Sequence, residues 1–272
     1  MMQSAIFLDH LYDAARREHL SLDSALSRAR LLGYSGLEVT FDPESDPHAL
    51  ANRFYHAGLF VSTLCVRTNF SDHPEDMSVA LAALDHCSAL GAARFLAIPG
   101  MIDTHDAAHA QRQRDHIVEG LGTLCAQAKT RGITVVMEDY DSADAPYRDA
   151  AGVRYFLDRV PGLMAAFDTG NFAFCEEDEL DAFELLKDRI AHVHLKDRSL
   201  TPGTPDERPL ITLGGRSLYA APFGSGIIRG EEILRRLRAM SYDGVVTVEH
   251  YGAPRMLEYM ERSAQWLHAH GV

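Results

Sequence analysis

The 272-residue chain has few of the features that mark a secreted, membrane-bound or nucleic-acid-binding protein. Its four cysteines include no CxxC pair, so we expect reduced thiols in a cytoplasmic protein rather than a disulfide framework. The N-terminus lacks a basic region followed by an apolar stretch, and no apolar run approaches the roughly 18 residues of a membrane span. The formal net charge of −13 argues against a non-specific nucleic-acid-binding protein, although it is compatible with a small basic patch for phosphate contacts. We therefore expect no signal peptide, no membrane partner and no nucleic-acid partner.

Short β-rich runs alternate with longer helical patterns along the whole chain. The predicted strands lie at residues 5–8, 37–40, 59–66, 94–98, 133–138, 163–168, 190–195 and 245–249. The predicted helices between and after them lie at residues 22–32, 47–57, 74–90, 107–130, 149–160, 178–188, 230–240 and 256–269. Eight such units imply parallel strands with crossover helices and fit a single (β/α)8 TIM barrel over residues 1–272. A doubly wound open sheet is the alternative, but no glycine-rich phosphate fingerprint follows the first strand.

Four consecutive predicted strands end in a residue that can bind a metal ion. These residues are Glu138, Asp168, His194 and Glu249. Adjacent strands lie about 4.8 Å apart, and barrel chemistry gathers at the C-terminal strand ends, so we expect the four side chains to converge. Three carboxylates beside one imidazole repel one another without a cation. We predict one divalent metal ion, Mn²⁺ before Mg²⁺, Co²⁺ or Zn²⁺, from this oxygen-rich set. A single strand-end carboxylate is more often a helix cap or loop hydrogen bonder, so the prediction depends on all four together.

Several short motifs carry a resemblance to a known family. They are FDTGN at 167–171, HVHLKD at 192–197, PFGSG at 222–226 and YDG at 242–244. These motifs resemble those of the sugar-phosphate isomerase/epimerase superfamily of xylose isomerase-like TIM barrels, and the resemblance covers essentially the whole chain. The superfamily includes tagatose-type 3-epimerases, hydroxypyruvate isomerases, inosose dehydratases and endonuclease IV. The resemblance implies the same four metal ligands, gives Glu138 and Glu249 the roles of acid and base, and makes a homo-oligomer plausible.

The predicted metal site favours carbon-acid chemistry on a sugar. A metal ion that holds two adjacent oxygens of a ketose or small hydroxy-ketone acidifies the neighbouring C–H and stabilises the enediolate. We therefore expect an isomerase or epimerase with Glu138 and Glu249 as its acid/base pair. The alternative is a dehydratase or lyase of a cyclic polyol ketone such as an inosose, because the same enediolate can expel a β-hydroxyl. An AP endonuclease-type nuclease is remote, since the third and fourth strands end without histidine and Asn171 stands where the nuclease pattern has histidine.

Other polar residues near the strand ends are candidates for the substrate or for support of the metal ligands. The candidate substrate contacts are Lys196, Asn171, Arg67 and Asn69. The alternative for each of them is an ordinary loop residue with no role in substrate binding. His192 lies deeper in the barrel, and we expect a core histidine or one that orients a ligand. Glu38 is either a polar contact at the barrel mouth or a salt-bridge partner, and we expect a supporting role for it.

The stretch 196–226 is longer than an ordinary connection, so we expect a lid or a disordered loop there. It carries Arg198, Arg208 and Arg216 on an acidic protein, which suggests an anionic group nearby. The backbone amides around Gly224 and Gly226 are a weaker candidate for the same role, with a plain turn as the alternative.

Overall fold

A closed barrel of parallel strands forms the centre of the protein. The computed structural model describes residues 2–272, and within that range eight strands complete the ring. They are β1 (Gln3–Phe7), β2 (Gly36–Thr40), β3 (Phe60–Arg67), β4 (Arg94–Ile98), β5 (Thr134–Met137), β6 (Met164–Asp168), β7 (Ile190–Ser199) and β10 (Val245–Glu249). Neighbours pair in parallel in chain order, and the pairing of β10 with both β1 and β7 closes the ring. This architecture confirms the predicted (β/α)8 fold.

Helices surround the barrel and return the chain from one strand to the next. Their bounds are α1 (Leu8–Arg17), α2 (Leu22–Leu31), α3 (Pro47–His56), α4 (Met77–Leu90), α5 (Ala107–Thr130), α6 (Ala150–Arg159), α7 (Glu179–Leu186), α8 (Gly230–Ala239) and α9 (Met256–Ala269). Aspartate side chains cap several of them: Asp46, Asp106, Asp149 and Asp178 accept hydrogen bonds from backbone N–H groups of α3, α5, α6 and α7. Such caps stabilise a helix start by about 1 kcal/mol each. None of the helices described within residues 2–272 has both the length and the apolar character of a membrane span.

The apolar residues fall into two layers. A large cluster fills the space between the barrel strands and the helices. A smaller one contains Cys65, Leu96, Ile98, Val136 and Ala166. Three of these, Cys65, Leu96 and Ile98, also line the main cavity, so the small cluster lies on the inner face of the barrel.

Two features differ from the sequence prediction. Helix α1 begins directly after β1, whereas the predicted strand continued to residue 8 and the first predicted helix began at 22. The stretch 196–226 is partly β-structure rather than the expected lid or disordered loop. Strand β7 continues to Ser199 and pairs antiparallel with β9 (Ser217–Ala221), which pairs in turn with the short β8 (Leu210–Ile211).

Candidate metal centre and active site

The four predicted ligands meet at the C-terminal end of the barrel. Glu138, Asp168, His194 and Glu249 are buried, and each offers a ligand atom within 4.8 Å of those of the others. From the Nδ1 atom of His194, the carboxylate oxygens lie at 2.8 Å for Glu138, 3.2 Å for Glu249 and 3.9 Å for Asp168. Strand pairing sets this arrangement, because His194 lies opposite Asp168 on β6 and opposite Thr247 on β10.

The hydrogen bonding of Asp168 tests whether this cluster suits a cation. Its Oδ1 accepts the backbone N–H groups of Gly170 and Asn171, both at 2.7 Å. Its Oδ2 is buried and has no hydrogen-bond partner within the described chain, and the nearest cation, the ammonium of Lys196 at 3.7 Å, is shared with Glu249. A buried carboxylate oxygen without a partner is costly unless a positive charge balances it. The unpartnered oxygen and the set of three carboxylates and one imidazole therefore fit a divalent metal ion.

The two glutamates of the cluster have different electrostatic surroundings. Burial raises the pKa of Glu138 to about 7, although the adjacent His194 opposes the shift. Burial also disfavours the ionised form of Glu249, but the ammonium of Lys196 and the ring of His194 outweigh it and lower the pKa of Glu249. Lys196 contacts Glu249 directly. Without a metal ion, Glu138 therefore takes up a proton more readily than Glu249 does.

A second polar layer lies beneath the ligands. The carboxylate of Glu38 lies 2.8 Å from Nε2 of His192 and 3.1 Å from Nε2 of His194. Burial disfavours the ionised form of Glu38, but the two histidines outweigh it and lower its pKa to about 2. In the neutral form that a metal ligand requires, a hydrogen bond from Nε2–H of His194 to Glu38 would place the Nδ1 lone pair towards the three carboxylates. Glu38 thus fixes the ring orientation that a metal ligand needs, which is the supporting role expected for it.

A cavity of about 330 Å³ opens above the cluster. Its walls are formed by Phe7, Asp9, Thr40, Cys65, Arg67, Leu96, Ile98, Glu138, Tyr140, Asp141, Asn171, Lys196, Arg198, Glu249 and Tyr251. Pockets for small molecules span about 300–1,000 Å³, so this one suits a ligand of sugar size.

Three of the four predicted substrate contacts lie in the cavity wall. Lys196 donates to Oδ1 of Asn171 at 2.6 Å, and the Nδ2 group of Asn171 donates to the carbonyl of Asp139 at 3.0 Å. Arg67 donates to the hydroxyl of Tyr140 at 2.8 Å. Asn69 is not among the residues that line the cavity, and its Oδ1 accepts the hydroxyl of Ser71 at 2.5 Å. The structure therefore does not bring Asn69 together with the other three.

The three arginines of the stretch 196–226 have separate surroundings. Arg198 is buried in the cavity wall and pairs with Asp141 at 2.7 Å. Arg216 pairs with Glu176 at 2.9 Å and does not line the cavity, and Arg208 is exposed. The structure therefore brings only Arg198 of the three to the candidate site.

The amides of Gly224 and Gly226 face an anion that the chain itself supplies. Both donate to Oδ2 of Asp197, at 3.0 and 2.9 Å. A side chain at Gly226 would collide with Asp197 and with the carbonyl of Arg198, so only glycine fits this approach. These amides are therefore occupied by an internal carboxylate.

Several cavity residues were not predicted as site residues. They are Asp9, Thr40, Tyr140, Asp141 and Tyr251. Asp9, Tyr140, Asp141 and Tyr251 come within four residues of the end of a barrel strand, so the strand-end rule applied beyond the last strand residue would have found them. The Oδ2 atom of Asp9 accepts the hydroxyls of Thr40 and Tyr251, at 2.7 and 2.9 Å. Asp9 and its partners thus form the wall on the β1, β2 and β10 side.

Comparisons with known proteins agree with the barrel architecture. A sequence model of the family described as xylose isomerase-like TIM barrel matches residues 26–270. Inosose dehydratase from Lacticaseibacillus casei is 23% identical over 270 aligned positions, which cover 93% of this chain and 90% of that relative.

Solved structures share the same architecture. D-allulose 3-epimerase from Methylomonas sp., in complex with D-allulose, has a TM-score of 0.76 and 15% identity, with 98% of this chain and 96% of that chain covered. A xylose isomerase-like TIM barrel protein from Mycobacterium smegmatis, in complex with magnesium, has a TM-score of 0.70 and 17% identity, with 98% of this chain and 94% of that chain covered. At these identities the likeness shows the shared fold.

Proposed function

Because the chain belongs to the xylose isomerase-like TIM-barrel family, we propose that it is a divalent-metal-dependent isomerase or epimerase of a ketose or related small hydroxy-ketone. The observation that carries the proposal is the convergence of Glu138, Asp168, His194 and Glu249 around the unpartnered oxygen of Asp168. The four would hold one divalent ion, with Mn²⁺ as the first candidate. The sugar-bound epimerase of the same fold is consistent with a small polyhydroxy ketone in the cavity.

The chemistry begins with removal of a proton from the carbon beside a carbonyl. A bound divalent ion would supply the positive charge that stabilises the developing enediolate. Glu138 directly follows β5 and Glu249 is the last residue of β10, and their carboxylates lie 2.8 and 3.2 Å from Nδ1 of His194. The ammonium of Lys196 favours the carboxylate form of Glu249, which suits Glu249 to remove the proton. Glu138 then returns a proton, to the same carbon in an epimerisation or to the former carbonyl carbon in an isomerisation. In the isomerisation the neighbouring hydroxyl also gives up its proton, and the former carbonyl oxygen takes one up, so that carbonyl and hydroxyl change places.

The direct test is proton exchange with solvent. We expect the Mn²⁺-loaded protein to incorporate deuterium from D₂O into at least one member of a panel of ketoses, ketose phosphates, hydroxypyruvate and inososes. Each product is identified by nuclear magnetic resonance and by chromatography. Failure to bind at least about 0.3 equivalents of metal after loading, which is well short of one ion per site, would contradict the metal-dependent mechanism.

The second candidate is a dehydratase of a cyclic polyol ketone. The inosose dehydratase that matches 93% of this chain is the observation in its favour. The first proton transfer is the same, but the enediolate then expels its β-hydroxyl, which leaves as water after it takes up a proton. A gain of ultraviolet absorbance from the conjugated ketone, with loss of one water by mass spectrometry, distinguishes elimination from exchange without net loss.

A further inference from the structure

The cations in the cavity wall differ in how their charge is balanced. Lys196 contacts the carboxylate of Glu249, and Arg198 pairs with that of Asp141 at 2.7 Å. Arg67 has no carboxylate within 4.0 Å in the described part of the chain, residues 2–272. Its partner is Tyr140, a neutral residue: Arg67 donates to the hydroxyl, and its Cζ lies over the ring at 5.4 Å from the centroid. In a chain with a net charge of −13, a cation left unpaired beside a cavity is available to an external anion.

The hydrogen bond between Arg67 and Tyr140 leaves donors without acceptors. The hydroxyl oxygen of Tyr140 accepts from Nη2 of Arg67, so the phenol hydrogen remains free to donate. A guanidinium has five N–H donors in a planar fork, and this contact uses one of them. Both groups line the cavity. This pair of donor groups, one of them charged, matches a carboxylate or a phosphate better than a hydroxyl.

Arg67 lies at the height of the metal ligands but to one side. Strand pairing sets Arg67 opposite Ile98, and Leu96 opposite Val136. Because β4 separates β3 from β5, the backbones of β3 and β5 are two strand spacings apart, about 10 Å. Arg67, Glu138 and Glu249 line one cavity of about 330 Å³, which has the volume for a hexose-sized molecule. The two ends of one substrate can therefore reach both places.

We propose that the substrate is an anionic hydroxy-ketone whose carboxylate or phosphate is bound by Arg67 and Tyr140 at the end away from the metal cluster. This inference rests on the proposed function and names the class of substrate for the same cavity. The hydroxy-ketone end lies over Glu138 and Glu249, and the anionic end lies against the donor pair. Neutral sugars would leave the charge of Arg67 unused.

The test compares three ligands that differ only at the carbon furthest from the carbonyl: D-fructose, D-fructuronate and D-fructose 6-phosphate. Binding is measured by isothermal titration calorimetry on the full chain loaded with Mn²⁺. A charged hydrogen bond contributes about 1.5–3 kcal/mol, so we expect one anionic ligand to bind about ten- to hundredfold more tightly than D-fructose. The tighter of the two anions identifies carboxylate or phosphate as the group recognised.

Variants separate the role of Arg67 from a general charge effect. Arg67→Met should remove the preference for the anion, so that the three ligands bind with similar affinities. Arg67→Lys keeps the positive charge but lacks the planar fork of guanidinium N–H donors, so part of the preference for the anionic ligand should remain. Arg159→Met is the matched control, because Arg159 also lies over a tyrosine ring, that of Tyr155, but at the last residue of α6 on the opposite end of the barrel. This control should bind all three ligands as the unaltered protein does.

Three results would overturn the inference: equal affinity of the unaltered protein for all three ligands, no binding of either anion, or an anion preference that survives in Arg67→Met. The same titrations on chelator-treated protein separate this inference from the proposed function. A preference that depends on Arg67 and persists without Mn²⁺ supports the anion site even if the metal chemistry fails. Deuterium exchange into neutral ketoses, with no anion preference, would leave the proposed function standing and remove the anion site.

Discussion

Asp168 and Asp197 are buried aspartates near the ends of the adjacent strands β6 and β7, yet their oxygens are satisfied differently. The Oδ1 of Asp197 accepts the backbone N–H groups of Arg198 and Ile228, and its Oδ2 accepts those of Gly224 and Gly226. Asp168 receives two backbone hydrogen bonds on Oδ1 and none within the described residues on Oδ2.

The difference separates a structural carboxylate from a candidate metal ligand. A buried carboxylate that accepts backbone hydrogen bonds on both oxygens needs no counterion. One with an unpartnered oxygen next to Glu138 and Glu249 is not fully balanced by the single ammonium of Lys196, which it shares with Glu249, and it favours an added cation. Asp197 is the structural carboxylate, and it holds the segment before α8 against β7. Asp168 is the candidate metal ligand, and its Oδ2 has a lone pair available to a cation.

Removal of the charge from Asp168 should have the largest effect among the changes that test the difference between Asp168 and Asp197. In Asp168→Asn an amide replaces one carboxylate ligand, and we expect a loss of Mn²⁺ affinity larger than the 10–100-fold typical of residues that only orient ligands. Turnover should fall to background with it. Metal content after Mn²⁺ loading, measured by plasma mass spectrometry, checks the prediction. Asp197→Asn is the matched control, and it should keep its metal; equal metal content in the two variants would contradict the distinction.

The glutamates test whether the ligand cluster also carries the proton transfer. Glu249→Gln or Glu138→Gln should lower the rate of deuterium exchange by about 10²–10⁴-fold, because each removes one proton-transfer group. Part of the metal should remain bound, since three of the four ligands are intact. The exchange rate and the metal content of the same sample are the two measurements. A variant that exchanges at a near-normal rate would exclude its glutamate from the acid/base pair.

Asp197 should show the opposite profile, with loss of stability and retention of metal. In Asp197→Asn the amide NH₂ faces two backbone N–H donors in either orientation, so we expect a loss of about 2 kcal/mol in the free energy of unfolding. Urea unfolding of the metal-free protein measures it. Asp106→Asn is the control, since Asp106 caps α5 at an exposed position and asparagine caps helices equally well. A loss of similar size in both variants would show that the four amides of the Asp197 site are not the cause.

His10 resembles Asp197, because it is a buried polar residue whose side chain accepts a backbone hydrogen bond. Its Nε2 accepts the N–H of His250 at 2.7 Å, and burial lowers the pKa of His10 to about 4. The unfolded chain gains this proton near pH 6.5 and the folded chain only near pH 4. The stability due to neutral His10 is therefore fully present above pH 6.5 and is lost as the pH falls through this window.

We expect this loss to amount to about 1 kcal/mol between pH 6.5 and 5.5, measured by urea unfolding at the two pH values. His10→Gln keeps a hydrogen-bond acceptor but does not titrate, so it should reduce the pH dependence by that amount. A pH dependence of the same size in His10→Gln would assign the effect to other groups.

The helices and strands that were predicted well have local signals. Residues 107–130 and 256–269 form α5 and α9 as predicted, and 245–249 forms β10. Asp106 supplies the start signal of α5 in its own sequence neighbourhood. Helix α1 was missed although Leu8, Leu11, Ala14 and Ala15 are buried at helical spacing, because the charged residues that follow obscure so short a pattern.

Features that depend on distant partners were not predictable in the same way. The extension of β7 to Ser199 depends on β9, which pairs with it from about twenty residues further along the chain. Arg67 and Asn69 are two residues apart and looked equivalent in the sequence, but only Arg67 lines the cavity. The internal anion that occupies the amides of Gly224 and Gly226 is Asp197, far from both in sequence.

The sequence by itself determined the alternation of strands and helices and the positions of the four candidate ligands, because strand periodicity and strand ends are properties of short segments. The tertiary structure alone decided which buried carboxylates find partners. Closure of the barrel brings Glu38 beneath His194 and leaves Oδ2 of Asp168 facing the other ligands. It also pairs Lys196 and Arg198 with carboxylates while Arg67 meets only a phenol. These differences depend on distances between strands remote in sequence, which exist only once the ring is closed.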